Sequence, residues 1–315
     1  MVQRFTLQEI RERTYKSRDA WWTVWLVDPL ASRLVRLVSP YRWITPNRLT
    51  MAAFLLGLAA AACFARADRS ALIAGAVLFH LSFVIDCMDG KVARLNGTGS
   101  VFGAWLDYVF DRLRVLACAI ALFGGQFART GELTYLWVGG AVVFLDMFRY
   151  LNALQMGKVK SEMRSRIAAA RGAGAPRPAF VEETSLEQPV GQASAADMVG
   201  ADRPVVDVYG DFRTRFRAFV RFRNMLVRQR IRAHVFSGIE FQMVVFIVGP
   251  LTGLLVGSAV AAGALLVAFE LLLIYKLWTA TRGYLRHLAP PVVVPAPATG
   301  SARSASVGVD AMSVS

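Results

Sequence analysis

Six apolar runs, each about 20 residues long, divide this 315-residue chain, and no other feature constrains its folding so tightly. As a helix rising about 1.5 Å per residue, a run of that length matches the roughly 30 Å hydrocarbon core of a bilayer. Inside hydrocarbon each backbone amide must find its partner within the segment, so such runs fold as helices. They lie near Asn47–Phe64, Ser70–Leu95, Val101–Phe123, Tyr135–Met156, Phe236–Val256 and Ser258–Thr279. A hydrophobic content of 55% also excludes an ordinary soluble domain. The sequence therefore predicts an all-α, polytopic integral membrane protein with about six transmembrane helices.

The formal charge of +14 is uneven along the chain. Lys and Arg collect before Asn47, after Met156 and after Thr279, whereas the short loops near Arg66–Arg69 and Arg129–Glu132 hold three basic residues against two acids. Positive charge beside membrane spans stays on the cytoplasmic side. Both termini, the Asp86–Asp111 connection and the loop after Met156 are thus expected to face the cytoplasm, from the cell membrane. Topology and attraction to anionic lipid account for the basic balance, so nucleic acid is not an expected partner. Cys63, Cys87 and Cys118 lack paired spacing and imply neither a disulfide framework nor a zinc site. The early basic residues Arg4, Arg11, Arg13, Lys16 and Arg18 argue against a cleavable signal peptide.

Five regions follow. Residues 1–44 form a cytoplasmic arm and an interfacial helix, since Trp21, Trp22 and Trp25 beside basic residues favour the headgroup layer and Pro29 kinks or ends the first part. Residues 45–156 carry membrane helices one to four, the first opened by Thr45 as N-cap and Pro46 at the first helical position. Residues 157–235 form a cytoplasmic loop. Its Arg171–Pro204 stretch lacks periodicity and reads as disordered, and its Phe212–Arg232 stretch reads as a basic amphipathic helix on anionic lipid. Residues 236–282 carry helices five and six, and residues 283–315 a disordered cytoplasmic tail.

Within the second and third runs stands the pattern Asp86-x2-Asp89-Gly90-x2-Ala93-Arg94-x8-Gly103-x3-Asp107-x3-Asp111. On helices, Asp86 and Asp89 share one face, as do Asp107 and Asp111, and the turn Gly97-Thr98-Gly99 folds the two pairs together. Four ionised carboxylates in one pocket repel strongly, and two divalent cations are the simplest compensation. Oxygen-only ligands point to magnesium or manganese. Gly90, Ala93 and Gly103 leave room for a ligand between the helices, against the plainer reading of close helix packing through small residues. Arg94 can donate to phosphate in fork geometry, or serve only as a boundary charge.

These residues resemble the signature of the CDP-alcohol phosphotransferase (CDP-alcohol phosphatidyltransferase) family, with every motif position present. The likeness extends to Thr45-Pro46-Asn47 and Thr50 and fades beyond about Arg149. It implies transfer of a substituted phosphate, most simply phosphatidyl from CDP-diacylglycerol, to an alcohol or polyol phosphate in phospholipid biosynthesis, with release of CMP. It also implies metal binding by Asp86, Asp89, Asp107 and Asp111, Asp111 as general base, contacts to the CDP donor from Gly90, Ala93, Arg94 and Gly103, and a homodimer. The segment Tyr15–Trp21 resembles members that use a CDP-activated polyol, which keeps that donor open. An intramembrane prenyltransferase would carry two separate aspartate motifs, and an ion-binding scaffold or transporter has no need of Gly90, Arg94 and Gly103 at these spacings.

Arg112, Arg114 and Arg149 are the expected acceptor-phosphate residues, although Asp146 three residues before Arg149 offers a salt-bridge alternative. Glu240 and Glu270 are expected in structural pairs, the latter with Lys276 or another helix. His80 is expected to make a hydrogen-bonded helix contact rather than to bind metal.

Overall fold

The computed structural model describes residues 5–41, 43–170, 179–180, 205–206, 224–232 and 234–288. Helices dominate: α1 (Leu7–Thr14), α2 (Asp28–Val38), α3 (Pro46–Ala65), α4 (Arg69–Asn96), α5 (Val101–Thr130), α6 (Leu133–Ala170), α7 (Gly238–Thr252) and α8 (Leu255–Leu288). A two-residue parallel pairing joins Ala179–Phe180 to Val205–Val206. The remainder of Arg171–Pro204, the Phe212–Arg223 part of the expected amphipathic helix and the tail from residue 289 lie outside the described residues.

Local chemistry places the helix ends. Asp68 caps α4 by accepting from the Ala71 amide, and Ser100 caps α5 by accepting from Gly103. Gly97 ends α4 at φ 64°, a left-handed turn that glycine enters without a Cβ penalty. Thr45 occupies the N-cap position of α3 with extended backbone, but its side chain makes no capping bond. Two π turns, Thr23–Val27 and Val244–Val248, each stand just before a proline, Pro29 and Pro250. A proline ring cannot donate to the carbonyl four residues back and clashes with it, so the preceding turn widens.

Among the described residues three helices, Pro46–Ala65, Arg69–Asn96 and Leu255–Tyr284, are long and apolar enough to cross a membrane. Helix α7 is apolar but shorter, while α5 carries the charged stretch Asp107–Arg114 and α6 carries Asp146 and Arg149. Exposed Leu55, Val77, Ile120, Trp137 and Leu271 spread over α3, α4, α5, α6 and α8, an apolar exterior suited to lipid. These features mark an integral membrane protein.

One apolar core runs through α1 to α8. Phe246 of α7 meets Phe64 of α3 and Phe79 of α4, at centroid distances of 6.4 and 4.9 Å, so the late helices close the same bundle as the early ones. Close approach depends on missing side chains: a Cβ on Gly125 of α5 would stand 2.7 Å from the Ala65 carbonyl oxygen. Helix α6 continues past the expected end at Met156 to Ala170, because Met163 and Ile167 pack with Leu277 and Tyr284 of the equally extended α8.

The N-terminal arm is pinned to the segment preceding α7. The Asp19 amide donates to the Arg230 carbonyl at 2.9 Å, the Arg232 amide donates to the Asp19 carbonyl at 2.9 Å, and the Asp19 and Arg232 side chains pair at 2.7 Å. Arg230 reaches Asp28 at 3.2 Å and lies 4.3 Å from the Tyr15 ring centroid. These contacts correct the expectation of a lipid-facing helix up to Arg232. Within the described part of that stretch only residues 224–228 are helical, and Arg230 and Arg232 turn to protein carboxylates instead.

Candidate metal centre

The hairpin of α4 and α5 brings the motif together. Carboxylate oxygens of Asp86, Asp89 and Asp107 lie within 4.8 Å of one another. The pairs face each other because Gly97 reverses the chain and both helices keep their register, with Asp86 and Asp89 on α4 opposing Asp107 on α5. Asp107 makes no hydrogen bond or ion pair among the described residues. Asp89 is buried and accepts from the Thr50 hydroxyl of α3 at 2.5 Å. An all-oxygen set at such spacing, with Asp107 unpartnered among the described residues, fits a hard divalent cation.

Asp111 takes a different position from its three companions. Arg112 bonds one of its oxygens and Arg114 the other. Arg114 also contacts Asp86 at 3.3 Å and the Ser82 hydroxyl at 3.2 Å. Its stem crosses α3 where Gly57 has no side chain, since a Cβ there would stand 2.5 Å from Arg114 Cγ and Cδ. Arg112 pairs in addition with Asp146 of α6. Isolated charges in a bundle interior are costly, so each guanidinium is matched by carboxylates.

The expected acceptor residues are consequently separated by role. Arg112 and Arg114 are turned into the bundle toward Asp86, Asp111 and Asp146. Arg149 pairs with Glu270 of α8 at 2.7 Å, and its Nη1 is buried with no hydrogen-bond partner among the described residues. Asp146 is therefore the partner of Arg112 rather than of Arg149. Glu270 also accepts from Asn152 at 2.5 Å, so its partners lie on another helix, and Glu240 closes a capping box with Ser237. His80 stands edge-on to Trp22 at 6.2 Å, and its Nδ1 is buried without a partner among the described residues, in place of the expected hydrogen bond.

On the proposed donor face, the nearest atoms to a Cβ on Gly90 would be the Arg94 guanidinium at 3.5 Å, ordinary contact with no neighbouring helix involved. Gly103 is tighter, with Asn47 Oδ1 and Ser100 Oγ both at 3.0 Å from a built Cβ. Ala93 is half-buried, and its carbonyl accepts the amides that close α4. Arg94 is anchored through Nε to the Thr14 carbonyl at 2.9 Å. One turn before it, buried Lys91 pairs with buried Asp28 at 2.7 Å, so α1 and α2 are fixed against the end of α4 that carries the motif. Sequence reasoning missed Thr50 as the donor to Asp89 and missed the Lys91–Asp28 pair. The spacing of Arg114 three residues after Asp111 was a signal for their contact.

Comparison with known proteins bears on the same helices. The family model for CDP-alcohol phosphatidyltransferase matches residues 43–177. The chain is 36% identical over 108 residues to an archaetidylinositol phosphate synthase of Methanothermobacter thermautotrophicus, covering 34% of this chain and 49% of the relative. It is 36% identical over 88 residues to a phosphatidylinositol phosphate synthase of Corynebacterium glutamicum, covering 28% and 37%. A third likeness, 42% over 83 residues, is to a bifunctional IPC transferase and DIPP synthase of Aquifex aeolicus, covering 24% and 17%. The chain thus spans half or less of the length of these curated relatives.

Proposed function

We propose, from the premise that residues 43–177 form a CDP-alcohol phosphatidyltransferase domain, that the protein is a membrane transferase of phospholipid biosynthesis. It moves phosphatidyl from CDP-diacylglycerol to a hydroxyl of a polyol phosphate and releases CMP. The convergence of Asp86, Asp89 and Asp107 carries this reading. Likeness to relatives named as archaetidylinositol phosphate and phosphatidylinositol phosphate synthases favours an inositol phosphate as acceptor.

The acceptor oxygen bonds to the phosphatidyl phosphorus while the bond from that phosphorus to the CMP oxygen breaks. Asp111 takes the acceptor's proton. Asp86, Asp89 and Asp107, with Asp111, would hold two magnesium or manganese ions, whose chemistry is neutralisation of charge on the donor pyrophosphate and the leaving group. Gly90, Ala93, Arg94 and Gly103 line the donor side, with Arg94 held by Thr14 so that its terminal nitrogens reach toward Gly90. Arg149 is assigned to the acceptor phosphate because its buried Nη1 has no protein partner among the described residues. Helices α5, α6 and α7 complete six spans, the Trp21–Val38 segment lies in the headgroup layer, both termini and the site face the cytoplasm, and the protein works as a homodimer.

Purified protein given labelled CDP-diacylglycerol, inositol phosphate and magnesium should release CMP and form a phosphorylated lipid, and a chelator should stop it. Folded protein that releases no CMP with any polyol phosphate would refute the assignment. A CDP-activated polyol as donor is the second reading, favoured by likeness to the bifunctional IPC transferase and DIPP synthase. Exchanging the donor in the same assay separates the two.

A further inference from the structure

Three carboxylates, Asp86, Asp111 and Asp146, divide two guanidinium groups among them. Arg114 reaches Asp86 and Asp111. Arg112 bridges Asp111 and Asp146, with its guanidinium carbon 3.5 Å from the centroid of the Tyr150 ring. The second oxygen of Asp146 accepts from Nε2 of Gln242 at 2.8 Å. Asp146 and Gln242 are 2% and 1% exposed, so neither is available to solvent. The result is a continuous line of bonds from α7 through α6 to Asp111 on α5, composed entirely of polar groups that are costly to bury unless each is matched.

Neutralising Asp111 does not require Asp146, because Arg112 and Arg114 already supply two positive charges beside it. A buried carboxylate at position 146 adds a desolvation cost, yet it fixes the other end of Arg112 and prevents that guanidinium from rotating about its stem. Gln242 in turn holds the Asp146 carboxylate in one plane. Tyr150, from one turn further along α6, closes the face of the guanidinium.

We propose that Asp146 and Gln242 are positioning residues for the transfer reaction: they orient Arg112, and through it they fix the direction in which the Asp111 carboxylate meets the acceptor hydroxyl. This rests on the reading of Asp111 as the base. Groups that orient a reacting residue through one intermediate typically change activity about 10–100-fold when removed. They leave substrate affinity largely intact, because they touch neither substrate.

The test uses the full chain in detergent and CMP release from CDP-diacylglycerol with inositol phosphate. Gln242→Met, close in volume but unable to donate, and Asp146→Asn, which keeps one acceptor oxygen for Arg112, should each lower kcat about tenfold or more. KM for donor and acceptor should stay within about twofold. Gln242→Glu should not restore turnover, since it sets a second carboxylate against Asp146, and Gln242→His, which keeps a nitrogen donor, should recover part of the loss. Wild-type kcat in folded Gln242→Met overturns the proposal, as does a loss that only follows the unfolded fraction. If Asp146→Asn does not fold, the Gln242 variants decide. Asp111→Asn is measured alongside. Full activity in that variant removes the base assignment and this proposal together, whereas an inactive Asp111→Asn beside a fully active Gln242→Met overturns the positioning role alone. Wild-type protein without CMP release overturns both.

Discussion

Replacing Thr50 by valine should raise the metal concentration needed for activity while leaving the fold in place. Valine matches threonine in shape but lacks the hydroxyl that reaches Asp89 at 2.5 Å. Thr50 and Asp89 are 4% and 7% exposed, so water has little access to replace the lost donor. A hydrogen bond to a charged acceptor contributes about 1.5–3 kcal/mol, which at about 1.4 kcal/mol per tenfold corresponds to roughly 10–100-fold in affinity for a cation bound at Asp89. The hydroxyl also lies 3.1 Å from the Pro46 carbonyl, a contact within one helical turn whose loss should affect α3 only slightly. The assay is CMP release titrated with magnesium and with manganese, with metal-induced change in melting temperature as a readout independent of turnover. Thr50→Ser, which keeps the hydroxyl, should remain near wild type in both. An unchanged half-maximal metal concentration in Thr50→Val, with the cation shown to stabilise the protein, would refute the role given to Asp89.

Asp28→Asn should destabilise the protein by about 3–5 kcal/mol in a denaturation series, because it leaves the buried Lys91 ammonium without its carboxylate. Lys91→Met should cost less, since Arg230 remains beside Asp28. Gly125→Ala should lower the melting temperature, at a cost of about 1–3 kcal/mol, because its Cβ would press on the Ala65 backbone at 2.7 Å, while Gly124→Ala, with open space around it, should not. Burial first, and then Arg232, Arg149, Lys276 and Lys160, push His234 down to about 3 from an ordinary value of 6.5. Between those values the unfolded chain binds the proton and the folded chain does not, so stability contributed by neutral His234 is complete above about pH 6.5 and declines as pH falls toward 3. A melting curve followed from pH 7 to pH 4 should show this slope, and His234→Asn should flatten it; equal slopes in the two proteins would exclude the assignment.

Helix positions and the hairpin were readable in the sequence because their causes are local. Apolar length, the caps Asp68 and Ser100 and the left-handed Gly97 act within a few residues, and a spacing of three or four sets side chains on a common helix face. The meeting of Asp86, Asp89 and Asp107 follows from those rules together with one turn. What Arg112 and Arg114 do could not be read that way. Both are basic residues beside a phosphate-handling motif, and a sequence pattern does not distinguish a cation facing a ligand from one facing a buried carboxylate. The bare backbone at Gly57 on α3 admits the stem of Arg114, and Asp146 on α6, fixed by Gln242 on α7, draws Arg112 inward. Asp19 and Arg232 are likewise 213 residues apart. Local periodicity thus determined the helices and the carboxylate faces, whereas the direction of each buried charge was decided by partners on other helices, because a charge removed from water goes to whatever counter-charge the completed bundle brings within reach.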